Sequence, residues 1–126
     1  MRSRYSLLVP ALMAGALAVS AVPASAAASS APAVPPCHAH VCLWTGNNYT
    51  GSVFTWWEAD GNKFIGSKHA DKVRSFVATS GACFVDTGST PWEWRAVRRA
   101  SAGHYSSNYY NRFGKVMDRI APSRYC

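Results

Sequence analysis

Four cysteines, at positions 37, 42, 83 and 126 of a 126-residue chain, constrain this sequence more than any other feature. An even number of thiols in a short exported chain reads as a disulfide framework, because the compartment beyond the membrane is oxidising. Export is expected from the first 26 residues. Arg2 and Arg4 open them, an apolar stretch runs from Leu7 to Val22, and Ala24-Ser25-Ala26 forms a small-residue cleavage site. Interrupted by Pro10, that stretch is short for a membrane span. Cleavage after Ala26 leaves a chain sized for one domain with one core, which excludes a multidomain enzyme and an integral membrane protein. Three cysteine pairings are open. Cys37 and Cys42 are close enough for a tight turn to bring them together, so Cys37–Cys42 and Cys83–Cys126 is the expected pairing.

Residues 27–36 are Ala, Ser and Pro apart from Val34, a composition that reads as a disordered leader. Residues 37–126 carry aromatic and β-branched runs separated by turn formers. Strands are expected over Val41–Trp44, Ser52–Trp57, Val73–Thr79, Cys83–Val85, Trp92–Val97 and Val116–Ile120. Turn signals lie at Thr45-Gly46-Asn47-Asn48 and Asp60-Gly61-Asn62. No stretch keeps a helical period, and short strands at this spacing predict an all-β sandwich or barrel. A faint internal echo relates Cys42-Leu-Trp-Thr-Gly to Cys83-Phe-Val-Asp-Thr-Gly, and Asp71–Val77 to Gly114–Ile120. Each half then has room for four strands, one Greek key each, packed face to face.

Trp44, Tyr49 and Gly51 fall at the spacing aromatic, four residues, aromatic, one residue, glycine. This resembles the βγ-crystallin Greek key, in which aromatics pack on a folded hairpin and glycine takes a positive φ. Val41-Cys-Leu-Trp44 followed by Asn48-Tyr-Thr-Gly51 behind an export segment is similar to the secreted bacterial peptidase inhibitors of that fold, the streptomycete metalloproteinase inhibitor type. The resemblance covers about Cys37 to Val77. It implies a secreted, disulfide-stabilised, two-Greek-key domain that inhibits metallopeptidases, thermolysin-type enzymes above all, through a substrate-like loop. It also implies a Cys followed by an apolar residue at the reactive bond, which points to Cys83-Phe84. Lys63-Phe64, in the loop from Gly61 to Gly66, is the second choice.

Other residue groups carry less. Cys37-His38-Ala39-His40-Val41-Cys42 has zinc-ligand chemistry, but bridged thiols cannot ligate, and no metal is expected. Asp71-Lys72-Val73-Arg74-Ser75 keeps two of the residue types of a βγ-crystallin calcium site and places Lys72 where a ligand belongs. The acids Glu58, Asp60, Asp71, Asp86, Glu93 and Asp118 are dispersed, and no nucleophile-elbow pattern is present. No enzyme and no cofactor are expected. Processing leaves 11 Lys and Arg against 6 acids, a modest excess that does not call for nucleic acid. An alternative function is a cationic βγ-crystallin-like toxin or cell-wall-binding module. It would use Arg95, Arg98 and Arg99 on an anionic polymer, with Trp92 and Trp94 sharing one strand face and Glu93 and Arg95 the other. Tyr105 to Arg112 reads as an exposed aromatic surface or a Tyr-rich strand. A monomer is expected.

Overall fold

The computed structural model describes residues 32–126, together with residues 15, 16 and 18. The rest of the expected export segment and the leader up to residue 31 therefore lie outside the described residues. Residues 32–36 form no regular element. Eight strands follow: β1 (Val41–Trp44), β2 (Val53–Trp56), β3 (Lys63–Phe64), β4 (Ser75–Ala78), β5 (Ala82–Thr87), β6 (Trp94–Ala100), β7 (Tyr105–Ser106) and β8 (Arg119–Pro122). They build two four-stranded sheets in the orders β2-β1-β4-β7 and β3-β8-β5-β6. Among the described residues no helix is long and apolar enough to cross a membrane.

The strand order is two Greek keys that each lend their third strand to the other's sheet. In the first half, β1 pairs β2 and β4 while β3 crosses to β8. In the second, β5 pairs β6 and β8 while β7 crosses to β4. The halves superimpose in register: Leu43 lies opposite Phe76, and Phe84 opposite Ile120. This places the second echo segment one residue later than the sequence similarity of Asp71–Val77 with Gly114–Ile120 suggests. The result is an all-β, βγ-crystallin-like sandwich.

Alternation along the strands fills the space between the sheets. Val41, Leu43, Trp56, Phe76 and Ala78 from one sheet meet Ala82, Phe84, Ala100 and Ile120 from the other. Phe76, Phe84 and Tyr109 form a three-ring cluster with centroids 4.7–5.9 Å apart, all edge-on, each pair adding about 0.5–1.5 kcal/mol beyond area burial. Burial pushes the Tyr109 phenol up to about 12, against the opposing pull of Arg98 and Arg112. A smaller apolar cluster of Cys83, Val85 and Ala121 with Trp94 and Val97 lies on the outer face of the second sheet. The chain's last turn, Ser123–Tyr125, packs onto β5, with Tyr125 set 6.2 Å from Trp94.

Two bridges join Cys37 to Cys42 and Cys83 to Cys126. The second closes a loop over the whole second Greek key, worth roughly 4 kcal/mol in the loop-entropy picture. The first hairpin is held by the Trp44-Tyr49-Gly51 motif. The two rings meet edge-on at 5.5 Å, and Gly51 has φ +81°. Ser75, fully buried on β4, donates to the Gly46 carbonyl at 2.7 Å and accepts from the Tyr49 amide at 3.0 Å. That serine is thus consumed by the fold.

Three expected elements differ. The strand expected from Trp92 begins at Trp94, because Thr90 to Glu93 closes a turn in which the Glu93 amide bonds the Thr90 carbonyl at 3.1 Å. The strand expected over Val116–Ile120 begins at Arg119, because a wide helical turn at Tyr110–Gly114 occupies the approach. The Tyr105–Arg112 stretch is neither a full strand nor a uniform surface: β7 is two residues long, and Tyr109 turns into the core.

Candidate functional site

Cys83 and Phe84 sit in the middle of β5, hydrogen-bonded to β6 on one side and β8 on the other. Their exposures are 0% and 1%. Cys83 faces the outer apolar cluster, where it is bridged to Cys126, and Phe84 faces the main core. A peptidase takes an extended segment with free backbone edges, and a central strand has none. In this fold Cys83-Phe84 is not a loop, which corrects the sequence expectation. The signal was present in the unbroken run Ala82-Cys83-Phe84-Val85, since continuous rather than alternating apolarity marks a strand buried on both faces.

Lys63-Phe64 has the opposite setting. The pair forms β3, the outermost strand of the second sheet, with β8 on one side and, among the described residues, no strand on the other. Phe64 is 47% exposed. Both flanks are tied down. The Gly61 carbonyl accepts from Trp56 Nε1 at 2.9 Å, and Asn62 Oδ1 accepts from Arg119 Nε at 3.0 Å. On the far side Ile65 is 1% exposed, and its amide donates to the Asp118 carbonyl at 3.0 Å. Gly61 and Gly66 bracket the segment at φ +65° and +87°, a conformation that glycine adopts without steric cost. The ammonium of Lys63 lies 5.7 Å from the centre of the Phe54 ring.

The second exposed feature is Trp92, which the sequence places beside Trp94 on one strand face. Trp92 is 81% exposed, the highest value among the large apolar side chains of the described residues. It occupies the turn between β5 and β6 and does not share a strand face with Trp94. Proline at position 91 of a four-residue turn was the available cue, since it favours the second turn position and leaves the third at the apex. Arg95, Arg98 and Arg99 do not form one face either. The register shifts at Asp86/Thr87, opposite Arg95. Arg98 pairs with inward-facing Phe84, lying over Phe113 at 5.3 Å, while Arg99 pairs with outward-facing Cys83.

The remaining polar groups serve the fold. Asp118 accepts from the Thr87 amide at 3.0 and 3.2 Å and from its hydroxyl at 2.6 Å. Burial, and then the charge of Asp118, raise the pKa of Asp71 and of Asp86. Among the described residues no group of three potential ligands is arranged to hold a metal ion. Cys42 lines an apolar groove of about 310 Å³ with Pro36, Trp44, Val53 and Trp57. His38 also borders it, while His40 accepts from the Glu58 amide at 2.9 Å.

The fold is that of βγ-crystallins. A structure described in work on the evolution of the eye-lens βγ-crystallin domain fold matches with a TM-score of 0.53 at 15% identity, covering 71% of this chain and 91% of its own. The βγ-crystallin domain of Abundant Perithecial Protein from Neurospora crassa, solved in a Ca²⁺-bound form, matches at 0.50 and 14% identity, over 69% and 92%. In sequence, an uncharacterised gerABC family protein of Dictyostelium discoideum is 26% identical over 81 residues, 64% of this chain and 68% of the relative. The model of peptidase inhibitor family I36 matches residues 25–87, half of the chain and the whole first Greek key with β5. An inhibitor of this kind acts by binding rather than by chemistry. On that match the chain belongs to peptidase inhibitor family I36.

Proposed function

We propose that the chain is exported, freed of residues 1–26, and inhibits metallopeptidases of the thermolysin type by presenting Asn62 to Gly66 as an extended, substrate-like segment. Lys63-Phe64 takes the place of the reactive bond. The observation that carries this reading is the setting of Phe64: a bulky apolar side chain, 47% exposed, on a free sheet edge between two anchored flanks. Thermolysin-type enzymes, the class implied by the family resemblance, favour a bulky apolar residue just after the scissile bond. An extended segment held in place before docking loses little conformational entropy when it binds. An edge strand also offers its backbone for pairing with a partner's strand.

Lys63 supplies the contrasting reading, since a trypsin-like enzyme recognises a basic residue before the bond. Its ammonium is drawn back over Phe54, which favours Phe64 as the recognised side chain. Titration of the processed chain against a thermolysin-type and a trypsin-like peptidase tests both. The expected result is loss of metallopeptidase activity near equimolar ratio, a rise in the inhibition constant of at least tenfold on Phe64→Ala, and little change on Lys63→Ala. Full residual metallopeptidase activity in the presence of excess chain overturns the proposal. The double change Arg98→Glu/Arg99→Glu leaves a β3-based inhibitor within about twofold of the parent and abolishes a surface-binding function, because exposed charges on another strand act mainly through screened long-range fields.

A further inference from the structure

We propose that the tip of the β5–β6 hairpin, with Trp92 at its apex, is a second contact with the same peptidase, seated on an apolar surface at the rim of the substrate cleft. This rests on the reading of Lys63-Phe64 as the primary segment. It concerns residues outside the stretch matched by the family model, which ends at residue 87.

Trp92 is 81% exposed, whereas the other tryptophan of the hairpin, Trp94, is half-buried against Tyr125. A large apolar ring held in water contributes little to folding, and tryptophan is among the side chains that most often anchor protein interfaces.

The Gly88 amide bonds the Glu93 carbonyl at 2.6 Å, and the Glu93 amide bonds the Thr90 carbonyl at 3.1 Å. Pro91 fixes its own φ within that turn. The Glu93 carboxylate covers Gly88 where a methyl group would otherwise stand. At the base of the tip, Thr87 is clamped through its amide and hydroxyl to the Asp118 carboxylate. The apex is thereby set in one position, and docking it orders few additional groups.

Asp118 holds both segments: its carboxylate takes Thr87, and its backbone carbonyl takes the Ile65 amide next to Phe64. Phe64, Arg119, Val85 and Val97 form one row across the sheet. From that row β3 runs on to Gly66 and β5 runs on to Gly88, off the same end of the sheet. Two strand spacings separate them, roughly 10 Å. That span suits a partner whose cleft takes the edge segment while its rim meets the tip.

The test measures inhibition constants for the full chain as exported and processed, against a thermolysin-type peptidase, for the parent, Phe64→Ala, Trp92→Ala and Trp92→Phe. Thermal midpoints are recorded in parallel. Trp92→Ala is expected to weaken inhibition 10- to 100-fold with an unchanged midpoint, and Trp92→Phe to restore most of it. Weakening by Phe64→Ala with Trp92→Ala equal to the parent overturns the second contact and leaves the primary segment standing. Weakening by Trp92→Ala alone supports the hairpin contact and removes Lys63-Phe64 from the reactive bond. A parent that does not inhibit overturns both.

Discussion

Replacement of Phe84 by alanine separates a core role from a reactive-bond role. The ring is 1% exposed and meets Phe76 and Tyr109 edge-on, with centroids 5.1 and 5.9 Å away. Removing it from between two sheets leaves a cavity bounded by strands on both sides, so relaxation is limited. Buried Phe→Ala changes cost about 3–5 kcal/mol. For a domain of this size each kcal/mol shifts the thermal midpoint by about 4–8 °C, and the expected fall is roughly 12–40 °C. Phe84→Leu, which keeps most of the volume, costs about 1–1.5 kcal/mol. Midpoints are read by circular dichroism, and inhibition constants are measured at 10 °C, where both variants are folded. The expected outcome is a large loss of stability on Phe84→Ala with inhibition within about twofold of the parent for both variants. A tenfold weakening by Phe84→Leu, with its midpoint within a few degrees of the parent, would show that the ring reaches the peptidase and refute the assignment to the core.

Two further outcomes follow from local geometry. A methyl group at Gly114 would overlap the carbonyl of Val73, whose own amide bonds the Gly114 carbonyl at 3.2 Å. Gly114→Ala is therefore expected to cost about 3 kcal/mol. Gly103→Ala meets no neighbour and bears only the strain of φ +87°, about 1 kcal/mol; equal urea midpoints for the two variants would contradict this. Burial lowers the pKa of His69, Lys68 adds to that, and the bond between Nε2 and the Ser52 carbonyl at 3.1 Å opposes it. The folded state therefore holds this imidazole neutral where the unfolded chain protonates it. Its contribution to stability is complete above the unfolded value of 6.5 and is lost as pH falls from there through the lowered folded value. Between pH 7.5 and 5 the thermal midpoint is expected to fall more for the parent than for His69→Gln, and parallel curves would disprove the assignment.

Much of the fold was legible because its signals are local. Alternating Phe54 and Trp56 mark the inward face of β2, the Gly- and Asn-rich runs mark turns, and Trp44-Tyr49-Gly51 marks a folded hairpin whose parts lie within eight residues. The faint echo between the halves reflects a real symmetry, because equivalent strands face the same core and need similar side chains. What the sequence concealed depends on partners distant along the chain. Strands β3 and β7 are two residues long and have no period to detect; they are strands because each crosses to the other Greek key's sheet. The same exchange decided the candidate site. Cys83-Phe84 and Lys63-Phe64 are both short segments ending in phenylalanine, and beyond the unbroken apolar run around Cys83 nothing local separates them. One pairs on both sides between β6 and β8, and the other lies at an edge with one side open. Trp92 and Trp94 differ likewise only through the turn at Thr90 to Glu93 and the tail that covers Trp94. By itself the sequence determined an all-β framework, its hairpin corner and the residues able to fill a core, since these rest on period and turn chemistry. Tertiary structure alone decided which of those residues reach a partner, because exposure is set by what packs on a segment from elsewhere in the chain.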